Sequence, residues 1–136
     1  MEIMENAKII DATNASMGRL ASTVAKRLLK GEKIIIINAE RAIITGNPNT
    51  TKQKYKERRA RGTPQHGPFF PTKANAILRR AIRGMLPYKQ ATGRTAFRNL
   101  RVQVGSEGFE NTETEKMPTK IKSRYMTVQE LSSGMR

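Results

Sequence analysis

Hydrophobic positions near the start of the chain follow first a strand pattern, then a helix pattern, then a strand pattern again. The apolar stretch Lys8–Ala12 predicts a short first strand. From Met17 onward apolar residues recur at the 3.6-residue period of a helix, and Gly31 can adopt the left-handed conformation that ends it. The uninterrupted isoleucine run between Lys33 and Asn38 predicts a strand buried on both faces. This order predicts a βαβ unit with a right-handed crossover and parallel strands.

Residues that can cap a helix precede three of the expected helices. Asn14 and Ser16 stand before the first helix, where a side-chain oxygen can accept hydrogen bonds from the free backbone N–H groups of the first turn. Asn47 and Pro48 are a favourable start for the second helix, as its cap and its first residue. Thr72 can cap the third helix. These residues predict where the helices begin.

The region around the second helix has a weaker hydrophobic pattern. Ala42–Gly46 is short and apolar, and it is compatible with either a strand or a helical turn. The second helix, which we expect to extend to about Arg61, has few apolar residues. A helix of this composition is not stabilised by a core, so we expect it to lie on another surface. Gly62–Pro71 contains three prolines and two glycines, which predicts an irregular loop.

The third helix carries a clear apolar stripe. Its apolar residues follow the helical period until Pro87 ends the helix: Ala74, Ile77, Leu78, Ala81, Ile82 and Met85. Gly93–Leu100 is compatible with one or two further helical turns, and Arg101–Gly105 predicts a last strand.

The length of 136 residues fits a single domain, and neither a repeat nor a linker divides it. We expect an α/β core over about residues 8–105, with a basic segment at 47–101, and a C-terminal extension over 106–136. The extension is expected to drape over the core rather than pack into it. Within it, the capping-box pattern Thr127–Glu130 predicts the start of a short helix before Gly134.

Composition excludes several classes of protein. The chain has no cysteine, which excludes disulfides, thiol nucleophiles and cysteine-based zinc sites. Met1–Asp11 contains three acids and no apolar run longer than two residues, unlike a signal peptide. The longest aliphatic run, Ile34–Ile37, is far too short to span a bilayer. We therefore expect a cytoplasmic protein with no membrane partner.

Positive charge is concentrated in one part of the chain. The formal net charge at pH 7 is +15. From Lys52 to Arg101 there are 14 basic residues and one acid, Glu57, a net charge of +13, whereas the rest has 12 basic and 10 acidic residues. Compact folding with this much self-repulsion makes sense only if a polyanion neutralises it. A membrane surface would also need an unburied apolar face opposite the basic one, so a nucleic acid is the expected partner.

The candidate RNA-binding residues are distributed over several elements. They are Lys52, Lys54, Lys56, Arg58, Arg59, Arg61, His66, Arg79, Arg80, Arg83, Lys89, Arg94 and Arg98. Arginine binds phosphate with two parallel hydrogen bonds and stacks on exposed bases. Phe69 and Phe70 either stack on bases or anchor their loop in the core. No helix-turn-helix or basic-zipper pattern is present, and cations on several elements favour an irregular RNA surface over a DNA groove.

Other chemistry has little support. His66, the only histidine, has no serine or cysteine close in sequence to activate. The glutamates of the extension lack both a rigid scaffold and the pattern of a calcium loop, and no phosphate-loop or dinucleotide motif is present. We expect no enzymatic activity, no cofactor, no metal and no small-molecule substrate. The alternatives are a free regulatory or architectural nucleic-acid-binding protein and, on His66 alone, an RNA-processing enzyme.

Several motifs together resemble one family, the ribosomal protein L-thirteen family of the large subunit. The start of the family is matched by Asp11–Ala12, MGRLAS at Met17–Ser22, Asn38–Glu40 and Thr45–Gly46. Similarity to its archaeal and eukaryotic branch comes from RAIRGMLP at Arg80–Pro87, followed by Lys89, Gly93, Arg94, Ala96 and the strand at Val102. The resemblance covers about Lys8–Gly105.

The resemblance implies a three-layer α/β/α fold around a parallel four-stranded sheet with strand order 3-2-1-4. It implies a structural constituent of the large ribosomal subunit that binds large-subunit ribosomal RNA early in assembly, beside neighbouring ribosomal proteins and without a catalytic role. The RNA contacts of the family lie largely in regions that match Lys52–Arg61, Gly62–Pro71 and Arg79–Arg98, which the charge count selects independently.

Overall fold

The computed structural model describes residues 7–60, 72–109, 112–118 and 124–135. The elements in these ranges are β1 (Lys8–Asp11), α1 (Met17–Leu29), β2 (Ile34–Ile37), a 3-10 helix (Ala39–Arg41), β3 (Ile43–Thr45), α2 (Pro48–Ala60), α3 (Ala74–Gly84), α4 (Ala91–Arg98), β4 (Leu100–Val102), β5 (Glu115–Lys116), β6 (Tyr125–Thr127) and α5 (Val128–Met135). None of the described helices is long and apolar enough to cross a membrane.

Four strands form a parallel sheet in the order β4-β2-β1-β5. β1 and β2 pair in the register Ile10↔Ile36, and β2 and β4 in the register Ile36↔Val102. The α/β class and the parallel four-stranded sheet are confirmed. With the strands of the described residues numbered in chain order, the order is 4-2-1-5 rather than 3-2-1-4. The numbers differ because Ala42–Gly46, for which strand and helical turn were both open, contains β3, which pairs in a separate sheet.

The isoleucine run of β2 lies at the centre of the parallel sheet. All four isoleucines are buried, as the uninterrupted apolar run predicts. Successive side chains on a strand point to opposite faces. Ile34 and Ile36 join the main hydrophobic core with Ile10 of β1, and Ile35 and Ile37 are buried on the other face.

The predicted apolar stripes form the helical side of this core. α1 packs against both α3 and α4. Ile77, Leu78 and Ile82 of α3 are fully buried, as the periodicity predicts. Met85, also assigned to the stripe, is 47% exposed because α3 ends one residue earlier, at Gly84.

The predicted cap of α1 is confirmed in position only, and the predicted cap of α3 is wrong. Ser16 is the N-cap residue of α1, but its side chain makes no capping hydrogen bond, and Asn14 adopts a positive φ of 60° in the preceding turn. Thr72 does not cap α3, because Lys73 occupies the N-cap position. The carbonyl oxygen of Thr72 instead accepts a hydrogen bond from the hydroxyl of Ser132 in α5.

The start of α2 is confirmed, but the helix does have an apolar anchor. The backbone N–H of Asn49 donates to Oδ1 of Asn47 at 2.9 Å, and the helix begins at Pro48. Tyr55 is only 8% exposed and belongs to the main core. α2 therefore packs on the protein itself, against α5, through one side of an otherwise polar helix.

The prediction that the C-terminal extension drapes over the core is wrong. β5 is an edge strand of the parallel sheet, with Glu115 paired to Ile10 of β1. β6 pairs antiparallel with β3 in the register Ile44↔Met126, and Met126 is 1% exposed. The extension thus supplies strands to both sheets.

The helix predicted in this extension is present as α5. The backbone N–H of Glu130 donates to Oγ1 of Thr127 at 3.1 Å, as one half of a capping box requires. α5 extends through Gly134 to Met135 rather than ending before the glycine. Val128 and Leu131 are fully buried where α5 contacts α2 and α3.

A polar network closes the carboxyl ends of the parallel strands. The Asp11 carboxylate accepts hydrogen bonds from the hydroxyl of Thr13 at 2.6 Å, the backbone N–H of Thr13 at 3.0 Å and the amide of Asn38 at 3.1 Å. Glu40 Oε2 accepts the backbone N–H of Gly105 at 2.8 Å. These bonds join the ends of β1 and β2 to the segment that follows β4.

Candidate nucleic-acid interface

The lysines of α2 extend along its solvent side. Lys54 and Lys56 are exposed. Lys52 is partly covered because its side-chain carbons lie beside Gly134 of α5. A lysine whose stem packs while its ammonium group remains at the surface keeps its charge available to a partner.

Arg58 lies next to the apolar anchor of α2. Its guanidinium carbon is 5.2 Å from the ring centroid of Tyr55. Burial raises the pKa of Tyr55, and the positive charge and hydrogen bonding of Arg58 partly offset that increase. The phenol is therefore neutral at physiological pH, as a core anchor requires.

Part of the predicted surface is outside the described residues. The side chain of Arg59 is not described, and Arg61 and His66 lie outside the described ranges together with the whole loop Gly62–Pro71. The assignments to Arg59, Arg61 and His66, and the two alternatives for the loop phenylalanines, remain predictions.

Two arginines of α3 lie over two aromatic rings. The guanidinium carbon of Arg79 is 4.0 Å from the ring centroid of Phe97, and that of Arg83 is 4.3 Å from the ring centroid of Tyr88. The two rings contact each other edge to face, with centroids 5.5 Å apart. We call these four residues the arginine–aromatic cluster. It joins α3 to α4 and to the turn between them.

The start of α4 adds further cations beside this cluster. Arg94 is exposed, and its Nη1 donates to the backbone oxygen of Lys89 at 3.0 Å. Gly93 allows the first turn of α4 to approach the turn that follows α3, since a Cβ there would lie 2.0 Å from the carbonyl oxygen of Pro87. Lys89 and Arg94 are therefore held at one end of α4.

The remaining cations of this region are Arg80 and Arg98, and both are exposed. In the described ranges, the ion pairs lie elsewhere: Arg27 pairs with Glu32 and Glu115, and Arg41 with Glu40. Hydrogen bonds from Arg27 lower the pKa of Glu115 despite the opposing effect of burial. The charges of the α3–α4 region, by contrast, have no carboxylate partner among the described residues.

α5 connects the two basic regions. It contacts α2 through the side that carries Tyr55 and contacts α3 near Thr72. Charge counting found the cations but missed the residues that position them, which are Tyr55, Tyr88, Phe97 and the helix α5. The one signal available for the arginine–aromatic cluster was the four-residue spacing of Arg79 and Arg83, which places both on one face of a helix.

Guanidinium and ammonium groups without a carboxylate partner, such as those of the described α3–α4 region, bind polyanions. The described residues contain no group of histidines and carboxylates that could hold a metal ion. The surface is therefore suited to electrostatic binding of a phosphate backbone.

Sequence comparisons agree with this picture. The family described as Ribosomal protein L13 matches residues 5–108. The large ribosomal subunit protein uL13 of Methanopyrus kandleri is 47% identical, over 96% of this chain and 87% of the relative. The proteins of the same name from Methanosarcina barkeri and Archaeoglobus fulgidus are 47% and 42% identical, over 93% and 91% of this chain and 96% and 84% of theirs. This chain belongs to the ribosomal protein L13 family.

Proposed function

We propose that this chain, a structural constituent of the large ribosomal subunit, binds large-subunit ribosomal RNA through the cations of α2 and of the α3–α4 region. The residues that we assign to this contact are Lys52, Lys54, Lys56, Arg58, Arg59, Arg61, His66, Arg79, Arg80, Arg83, Lys89, Arg94 and Arg98. The family is structural and not enzymatic, and its ribosomal location is cytoplasmic.

One observation carries the proposal. The stretch from Lys52 to Arg101 has a net charge of +13, and its cations on α3 and α4 have no carboxylate partner among the described residues. Solvated protein surfaces usually mix both signs of charge. A phosphate-rich partner accounts for this segregation, because it supplies the missing negative charge.

The distribution of the cations favours RNA over duplex DNA. Groove-reading DNA-binding proteins concentrate their contacts on one helix or ribbon that fits the major groove. Here the cations lie on α2, on α3, on the following turn and on α4. Contacts spread over four segments match the irregular surface of a folded ribosomal RNA.

Association with other ribosomal proteins follows from family membership. We further propose that the chain enters the subunit early. A surface that depends on RNA for charge neutralisation is best occupied before neighbouring proteins close around it. Pulse-labelling tests this timing: the newly made protein should appear first in precursor particles, and appearance only in mature subunits would contradict it.

Sedimentation tests the central proposal. Tagged wild-type protein in a cell extract should follow the large subunit, and a variant with Arg79, Arg80 and Arg83 replaced by alanine should shift towards the top of the gradient. A variant with Arg19, Lys26 and Lys30 replaced by alanine is the matched control, because these three exposed cations, on α1 and at its C-cap, lie outside the basic segment. Wild-type protein that never follows the large subunit would refute the proposal.

Binding in vitro separates ribosomal RNA from other polyanions. If about 6 to 10 cations contact phosphates, affinity for a large-subunit rRNA transcript should fall roughly 10³- to 10⁵-fold between 50 and 200 mM salt. Duplex DNA of equal length should bind more weakly at each salt concentration. Equal affinity for the two would instead favour a general nucleic-acid-binding protein.

A further inference from the structure

We infer that Tyr88 and Phe97 are positioning residues that hold Arg79 and Arg83 as a preorganised pair for RNA backbone phosphates. This inference rests on the proposed function and deepens it. The sequence places the arginines among many cations, but the arginine–aromatic cluster distinguishes these two from the rest by fixing where each guanidinium lies.

The contacts account for the fixed positions. Each guanidinium carbon lies within 4.0 to 4.3 Å of a ring centroid, which is van der Waals distance from a ring face. The rings are themselves held, because Phe97 is 8% exposed and packs in the main core, and Tyr88 packs against that core. The two arginines are four residues apart on α3, so they lie on the same face of the helix.

The hydrogen-bond donors of both guanidinium groups remain available. Within the described residues, neither Arg79 nor Arg83 donates a side-chain hydrogen bond or forms an ion pair. Arg79 is exposed and Arg83 is partly exposed. An aromatic ring lies against each guanidinium group, and none of the described residues accepts a hydrogen bond from its N–H groups.

Phosphate is the acceptor that these N–H groups fit best. A guanidinium offers planar donors that match two phosphate oxygens at once, and a ring behind it restricts the group before binding. Ordering a flexible side chain on binding weakens affinity roughly 2- to 10-fold per side chain. The aromatic rings remove part of that loss. Lysine could keep the charge at these positions but could not keep the planar fork.

The test replaces the rings and keeps the charges. Phe97→Leu and Tyr88→Leu should each weaken binding of the full chain to a large-subunit rRNA transcript about 2- to 10-fold. The slope of log affinity against log salt should stay the same, since no cation is removed. Arg79→Ala should reduce that slope by roughly 0.7 to 0.9, the value for one lost phosphate contact. Phe97→Tyr and Tyr88→Phe each keep an aromatic ring and should bind the transcript as tightly as wild type.

A stability-matched control separates positioning from general damage. Val24→Ala removes fully buried carbons from α1 and changes no residue of the arginine–aromatic cluster. It is measured at a temperature where its folded fraction equals that of the ring variants. Val24→Ala should bind like wild type. Because Tyr88 is only partly buried, Tyr88→Leu keeps the test valid if Phe97→Leu does not fold.

The possible failures can be told apart. Ring variants that bind like wild type, or that lose no more affinity than Val24→Ala, would overturn the positioning role while Arg79→Ala still reports the RNA contact. A wild-type chain without affinity for the transcript would overturn the proposed function itself. An Arg79→Lys variant with full affinity would also contradict the inference, because it retains charge alone.

Discussion

At the scale of single residues, Gly93 lies where the first turn of α4 meets the turn that follows α3. A Cβ at Gly93 would lie 2.0 Å from the carbonyl oxygen of Pro87 and 2.8 Å from the backbone nitrogen of Tyr88. Both are main-chain atoms, so neither can rotate away like the end of a long side chain. Gly93 is therefore needed for close packing, and through it α4 keeps Phe97 and Arg94 in place.

Gly93→Ala should lower the free energy of unfolding by about 1 to 3 kcal/mol, the usual cost of overpacking. Gly84→Ala is the control, because a Cβ there meets no atom within 4 Å. It should leave stability unchanged or raise it by up to about 1 kcal/mol through helix propensity. Urea denaturation of both variants measures the difference, and equal effects would contradict the packing role of Gly93.

Asp11 makes the free energy of unfolding depend on pH in the acidic range. Burial alone raises the pKa of Asp11, but hydrogen bonds from Thr13 and Asn38 outweigh it and hold the pKa below the ordinary value of 3.8. Because the folded-state pKa is depressed, the stabilisation is present above the unfolded-state pKa and is lost as pH falls through the folded-state value. Asp11→Asn should therefore be less stable than wild type at neutral pH, with a smaller further loss below about pH 4. Parallel pH profiles of wild type and variant would contradict this role.

At the scale of elements, sequence periodicity located the features that depend on local order. The isoleucine run predicted the central strand β2, and the apolar stripes predicted α1 and α3, because strand and helix periods appear within a dozen residues. β5 has two residues, too few for any period, and its partner Ile10 is distant in sequence. The extension was mispredicted because its packing depends on pairings across most of the chain.

The candidate site divides in the same way. Clustered charge identified the cations of α2, α3 and α4 from sequence. Their positioning by Tyr55, Tyr88 and Phe97 could not be predicted, since an aromatic residue in a basic segment is equally compatible with core packing and with base stacking. Only the tertiary contacts distinguish these uses.

The single tyrosine of α2 yields a prediction for that element. Tyr55→Ala removes the one buried side chain described in α2, so the helix should separate from α5. Amide hydrogen exchange in α2 should accelerate, while α1 and β2 keep their protection. Tyr125→Ala is the control, because Tyr125 is 46% exposed on β6. Unchanged exchange in α2 would show that its other contacts suffice.

At the scale of the whole molecule, the net charge of +15 acts on folding and on binding in opposite directions. Like charges repel within the folded chain, and salt screens that repulsion, with a Debye length of about 10 Å at 0.1 M. The same salt competes with the protein for phosphates. Folding and RNA binding should therefore respond oppositely to ionic strength.

Raising potassium chloride from about 50 to 200 mM should increase the urea midpoint of the isolated chain while RNA affinity falls. Urea is suitable because it adds no ions of its own. A midpoint that decreases over this range would indicate that attractive ion pairs, such as those of Arg27, dominate the folded state.

The pairing of β3 with β6 joins Ile43 to Thr127, which lies 84 residues later in the sequence. During synthesis, β3 therefore cannot pair until β6 is made, after every other described element except α5. α2 also lacks its packing partner during this time, because α5 is the last of the described helices to be synthesised. The cations of α2 are thus synthesised before the helix that positions them, so we expect the nascent chain to bind RNA less selectively until α5 has folded against α2.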